Sequence, residues 1–192
     1  MKASDRYLVS SSLVGIQDST AALYPQWQAA NDRNHAVLVE LTAGQVLALD
    51  DRVVLDTVHT SAFPLNGSPS DPNNNALVCR LVYDEVSFLL TADIEAETES
   101  QMLRNSPGLD ADILKATHHG SKTSTTPAFL EAASPTVVVI SAGADNRYGH
   151  PNAEMLTRLE QAVRADRVYQ DAQKGSVELI TDDYNLWVES QR

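Results

Sequence analysis

The sequence predicts an α/β layered sandwich, and two observations carry that prediction. The first half reads as short extended segments separated by tight turns, the pattern of antiparallel strands. From Asp93 onward helix and strand alternate, which implies strands in one sheet with helices packed against it.

Residues 7–11 read as a short strand. Residues 20–32 are amphipathic, with Leu23, Trp27 and Ala30 near helical spacing behind Ser19 as N-cap. Three extended segments follow at 36–41, 45–49 and 53–59, and their Gly and Asp-Asp turns suggest antiparallel pairing. Residues 63–75 form a polar loop rich in Pro, Gly, Ser and Asn, close to the length at which functional loops become common. Residues 76–83 and 86–91 make a hairpin around Asp84-Glu85, and its second arm is apolar enough to lie centrally in a sheet. Helices at 95–104, 127–133 and 152–164 then alternate with strands at 112–116, 136–141 and 167–170. A closing hairpin covers 176–181 and 184–188. No internal repeat or linker divides residues 1–192, so a single domain is expected.

A chain of 192 residues buries roughly 70% of its unfolded surface. Its 43% hydrophobic and 21% charged content describe an ordinary globular protein. No apolar run approaches the length of a membrane span, and the N-terminus lacks a signal-peptide core, so the chain itself is expected to be soluble. The net charge of −12, from 14 basic and 26 acidic residues, repels nucleic acid at long range. That argues against a DNA-binding module. A nuclease stays open, because metal ions can supply local positive charge and Lys115, Lys122 and Arg147 lie beside the candidate ligands. Cys79 stands alone in an apolar strand, which excludes an intrachain disulfide and a cysteine-based zinc cluster.

The chemistry-bearing residues fall where predicted strands stop, the usual place for α/β active sites. Asp93 ends one such strand, either as a helix N-cap or as a carboxylate bridging divalent ions. His118 and His119 end another. Adjacent residues of an extended backbone point opposite ways, so at most one ligates and the other could orient the site or meet substrate, unless both are plain loop histidines. His150 precedes Pro151, a favoured first helical residue, and the positive helix end there would keep its ring neutral for metal binding or proton transfer. Residues 73–75, three asparagines, suit a turn, although an amide there could approach substrate phosphate or metal-bound water. Gly120-Ser121-Lys122-Thr123 lacks the upstream glycine of a phosphate-binding P-loop and is rejected as one. His35 and His59 have no acidic or histidine company and read as structural.

Three stretches, Thr91-Ala92-Asp93, His118-His119-Gly120-Ser121-Lys122-Thr123 and Asn146-Arg147-Tyr148-Gly149-His150-Pro151, together resemble the metallo-β-lactamase superfamily. Within it the chain is similar to the C-terminal hydrolase domain of ComEC-type DNA-uptake (competence) proteins, over about residues 73–181. The resemblance implies an αββα sandwich of mixed sheets with flanking helices, two divalent metals (zinc or manganese), and metal-assisted hydrolysis of a phosphodiester in DNA. By position Asp93 looks like the bridging carboxylate and His118 like the late histidine ligand, with His119 the alternative. His119, His150 and Tyr148 then look catalytic, and Asn75, Ser121, Lys122 and Asn146 look substrate-binding.

The sequence also departs from that pattern. The early H-x-H-x-D-H run, which supplies most ligands in the superfamily, is absent. Ala92 stands where relatives have Gly, and Thr117 where they have Pro. The chain is therefore expected to be the C-terminal portion of such a domain, weak or empty in metal, inactive alone and prone to self-association through uncovered strands. DNA, a missing N-terminal half-domain and membrane-channel segments would be partners within a longer protein of the bacterial cell membrane. Two alternatives follow. One is a non-catalytic relative used for binding or assembly. The other, hydrolysis of a small ester or lactam, has only the fold behind it.

Overall fold

A computed structural model describes residues 8–15, 24–60, 65–106 and 108–191. Its centre is a seven-stranded mixed sheet. In order across it lie β3 (Val46–Ala48), β4 (Val53–His59), β5 (Val78–Tyr83), β6 (Val86–Leu90), β7 (Ile113–Lys115), β8 (Val137–Ile140) and β9 (Val168–Gln170). The strands from β3 to β6 pair antiparallel, and those from β6 to β9 pair parallel. The change falls at β6, where the sequence pattern turns from hairpins to alternating helix and strand.

Between the parallel strands run α3 (Ala96–Asn105), α4 (Pro127–Ala133) and α5 (Ala153–Ala162), preceded in the chain by α1 (Tyr24–Asn34) and the single turn α2 (Asp71–Asn74). Alternation along each strand divides the sheet into two buried faces. Leu89, Leu114, Val138 and Ile140 meet Met102 of α3, Phe129 and Leu130 of α4, and Met155 and Leu159 of α5. On the other face Val86, Phe88, Ile113 and Val137 meet Leu179, Leu186 and Val188. Those last three belong to the antiparallel ribbon of β10 (Val177–Thr181) and β11 (Leu186–Ser190). The result is the layered α/β sandwich predicted, with helices on one face of a mixed sheet and a β ribbon on the other. Among the described residues no helix is long and apolar enough to cross a membrane.

The first part of the chain departs from expectation. The first strand is β1 (Ser11–Val14) rather than 7–11, and residue 7 lies outside the described residues, as do Ser19 and the start of the predicted first helix. The segment expected to pair antiparallel, seen as β2 (Val37–Glu40), instead pairs parallel with β1. The helix between them returns the chain to its starting end, so the two strands run the same way. Ser12 Oγ donates to Asn31 Oδ1 at 2.5 Å and ties β1 to α1. The polar loop holds a helical turn at α2, because Asp71 accepts from the Gly67 and Ser68 backbone N–H groups and Pro72 follows it.

Candidate active site at the strand ends

β6, β7 and β8 stop at one edge of the sheet, and their trailing loops carry the site. Thr91, buried, donates from Oγ1 to the Lys115 carbonyl at 2.8 Å and ties the ends of β6 and β7 together. Ala92 then turns left-handed, with φ 49°. Its carbonyl accepts from the His118 N–H at 3.2 Å and from Lys115 Nζ at 3.1 Å. Burial lowers the Lys115 ammonium pKa, and the neighbouring Asp93 acts in the opposite direction. Asp93 is not the N-cap of α3; that position falls to Glu95, leaving the Asp93 carboxylate free of helix capping.

His118 and His119 are not extended. Both adopt left-handed backbone, at φ 48° and 55°, a cost of roughly 1–2 kcal/mol each for a residue with a Cβ. Gly120 continues at φ 86°, and a Cβ there would lie 2.7 Å from Pro151 Cβ, so only glycine fits against that loop. The two rings diverge. His119 Nε2 lies 3.3 Å from Asp93 Oδ1, whereas His118 Nδ1 lies 3.4 Å from Glu95 Oε1 without a hydrogen bond. The neighbour of Asp93 is thus His119 and not His118.

The other nitrogen of His119 settles its tautomer. Nδ1 stands 2.6 Å from the Ser141 carbonyl, which can only accept, so Nδ1 carries the proton. In the neutral ring Nε2 is then bare, and a lone pair faces a carboxylate.

His150 packs edge-on to His118, with ring centroids 5.7 Å apart, and lies nearly parallel to Tyr148 at 5.9 Å. Its pKa falls below the ordinary histidine value, first through burial and then through His118 and His119, with Asp93 opposing. The expected helix-end effect is not the cause: the N-cap is Asn152, and α5 starts at Ala153. Asn146 locks this loop with four hydrogen bonds. Its Nδ2 donates to the Gly143 and His150 carbonyls, and its Oδ1 accepts from the Tyr148 and His150 N–H groups. Tyr148 is 66% exposed under the Arg147 guanidinium, 4.8 Å from its ring centre.

Three residues predicted to bind substrate are used otherwise or only in part. Both ends of the Asn75 amide bond the Leu65 backbone and close the preceding loop. Ser121 Oγ is buried against Thr123 Oγ1 at 2.9 Å. Lys122 keeps its side chain exposed, while its carbonyl accepts from Arg158.

Asp93 Oδ1 and His119 Nε2 suit two positions on one divalent ion. With the His119 ring neutral both are acceptors, and 3.3 Å is the separation that bond lengths of about 2.1 Å give at a near-tetrahedral angle. A backbone carbonyl on the far ring nitrogen is the support metal-binding histidines usually have. A complete zinc site needs at least three protein ligands. Among the described residues no three His, Cys, Asp or Glu side chains converge as one.

Comparison with known proteins bears on what this edge belongs to. Over 151 residues the chain is 34% identical to ComE operon protein 3 of Bacillus subtilis, covering 79% of this chain and 18% of that protein. It is 34% identical over 90 residues to Competence protein ComA of Neisseria gonorrhoeae (46% of this chain, 13% of that protein). Against Recombination protein 2 of Haemophilus influenzae identity is 36% over 90 residues (46% and 11%). The chain is homologous to one segment of the ComEC-type competence proteins. It spans less than a fifth of the length of these curated relatives. No family model matches it. Among solved structures, a candidate metal-dependent hydrolase of Parabacteroides distasonis aligns over 84% of this chain and 74% of its own, with a TM-score of 0.47 and 14% identity.

Four more residues shape this edge; Asn74 lies in the asparagine run singled out above, and the other three carry no motif signal. Asn74, not Asn75, reaches the Asp93 loop: its Oδ1 accepts from the Glu95 N–H at 2.9 Å and from Thr98 Oγ1 at 3.1 Å. Glu99 accepts from the Thr125 and Thr126 N–H groups, and Arg158 donates to the carbonyls of Lys122, Ser124 and Thr125. Asp171 accepts from Ala142 N and Ser141 Oγ. An acid inside a predicted helix or after a strand gives no reason to look for it.

Proposed function

We propose that the chain is the C-terminal part of a metal-dependent phosphodiesterase domain of the competence type, acting on a polynucleotide and inactive without the rest of its ligands. The observation that carries this reading is the Asp93–His119 pair, with Oδ1 and Nε2 held 3.3 Å apart. The remaining ligands would come from chain outside these 192 residues. Uncovered apolar strand supports that: Val37 and Leu38 of β2 are 62% and 51% exposed, a surface suited to further strands. DNA as substrate and a membrane-channel partner are expectations for the longer protein.

A divalent ion held there would polarise a phosphodiester and favour attack by water. The chain's own groups have separate tasks. His150, kept neutral by burial, can give or take a proton beside the pair. Arg147 and Lys122 offer exposed positive charge to phosphates in a chain of net charge −12. The second reading, a non-catalytic binding or assembly module, draws on the same shortage of ligands among the described residues.

Bound manganese and zinc should be counted after dialysis in the 192-residue chain, in a version extended upstream in its natural reading frame, and in Asp93→Ala of each. The reading expects little metal in the shorter chain. In the extended one it expects two ions and phosphodiesterase activity, both lost with Asp93→Ala. Tight metal in the shorter chain would show that its site is already whole. A folded, extended chain without metal or activity would leave the assembly module.

A further inference from the structure

We propose that Asp171 is a positioning residue that acts through a single peptide group to hold His119 in the tautomer that leaves Nε2 bare toward Asp93. The proposal rests on reading Asp93 and His119 as the ligand pair. The Ser141 carbonyl and the Ala142 N–H belong to one planar unit. Asp171 Oδ1 accepts from that N–H at 2.8 Å, and the carbonyl at its other end accepts from His119 Nδ1 at 2.6 Å. A second bond, Ser141 Oγ to Asp171 Oδ2 at 3.2 Å, fixes the carboxylate in the peptide plane's neighbourhood. Asp171 opens α6 (Asp171–Lys174) directly after β9, and the parallel register pairs Ile140 with Gln170. Sheet pairing alone therefore sets residue 171 beside residue 141.

The consequence is electrostatic. A carboxylate on an amide N–H pulls electron density toward the amide oxygen, and chained hydrogen bonds strengthen one another. The Ser141 oxygen becomes a better acceptor and claims the His119 proton at Nδ1. Without that claim the ring would favour the opposite tautomer, because Nε2–H could donate straight to Asp93. That alternative pair is satisfied in itself and closed to a cation. The Asp171–peptide–His119 line keeps it open, as a carboxylate–histidine–metal triad does, with a peptide inserted between carboxylate and ring.

The test reads the ring and not the reaction. In the metal-free, 15N-labelled chain at about pH 8, above the ordinary histidine range, long-range proton–nitrogen spectra report which nitrogen of His119 carries the proton. Wild type should show Nδ1–H. Asp171→Ala should move the majority to Nε2–H. Asp171→Asn, which keeps an acceptor for the Ala142 N–H but no charge, should fall between, with an unchanged backbone amide spectrum. Nδ1–H retained in a folded Asp171→Ala chain, or Nε2–H in wild type, would overturn the proposal; if the alanine variant does not fold, unchanged Nδ1–H in Asp171→Asn overturns it. In the extended chain Asp171→Asn should weaken metal binding by about 10–100-fold. A correct tautomer pattern in an extended chain that binds no metal would instead sink the ligand reading and leave the relay standing.

Discussion

Glu99 is fully buried on α3, and its two oxygens accept from consecutive backbone N–H groups, Thr125 at 2.5 Å and Thr126 at 2.8 Å. Burial pushes its carboxyl pKa up, against the pull of Thr126, Thr125 and Arg158. Glu99→Ala strands both N–H groups away from water, at about 1–3 kcal/mol each. It also removes one buried methylene, at about 0.8 kcal/mol. Relief of the buried charge offsets part of this, so a net loss near 3 kcal/mol is expected. For a chain of this size that lowers Tm by roughly 6–12 °C. Glu99→Gln keeps one acceptor but sets an amide NH2 against the other N–H, and should cost about half as much. Urea unfolding followed by tryptophan fluorescence measures both. Hydrogen exchange should show residues 121–126, which trail the histidine pair, opening first. A loss below about 1 kcal/mol for Glu99→Ala would refute the claim that this carboxylate holds the loop.

Two further outcomes follow from the backbone and from burial. Ala92 sits at φ 49° with a partly buried methyl, so Ala92→Gly removes a left-handed cost of about 1–2 kcal/mol and adds about 0.4–1 of unfolded-state entropy. The same urea titration should show a gain of about 0.5–1 kcal/mol, and a loss would mean that the methyl packs better than its exposure suggests. His59 is buried with Nε2 unpartnered, and burial lowers its pKa below the ordinary histidine value. The unfolded chain then binds the proton more readily than the folded one. Stability is full above about pH 6.5 and falls as the pH drops through the lowered value. His150 adds to the same slope. Urea midpoints between about pH 7.5 and 5.5 should therefore fall, and fall less in His59→Gln; equal slopes would place the titration elsewhere.

The second half of the chain was legible because its periodicities are strong and its strands are buried by local helices. Pro127 behind Thr126, and the apolar arm ending in Leu90, mark their elements without ambiguity. The first half was harder. The parallel pairing of β1 with β2 depends on where α1 returns the chain, which no residue pattern records. At the site, sequence located the strand ends but not the directions of the rings. An extended backbone through His118 and His119 was the natural assumption. Two successive left-handed residues reversed which ring meets Asp93. Asp171 was invisible for a related reason, since its role exists only once β9 lies beside β8.

That backbone also bears on the choice between the two functional readings. Ala92, His118 and His119 are all left-handed, and at about 1–2 kcal/mol apiece they hold roughly 3–6 kcal/mol of conformational cost within one site. That is a large fraction of the 5–15 kcal/mol by which a domain is normally stable. An assembly module has no use for such cost at a solvent-facing edge; replacing both histidines by glycine would relieve it at no loss to binding elsewhere. Here the strain is instead held in place from three sides, by Thr91 on Lys115, Glu99 on the following loop and Asp171 behind His119. At the centre of that bracing the Asp93 Oδ1 and His119 Nε2 lie 3.3 Å apart. Strain held at one sheet edge by three separate contacts favours the proposed metal-binding reading over the assembly module.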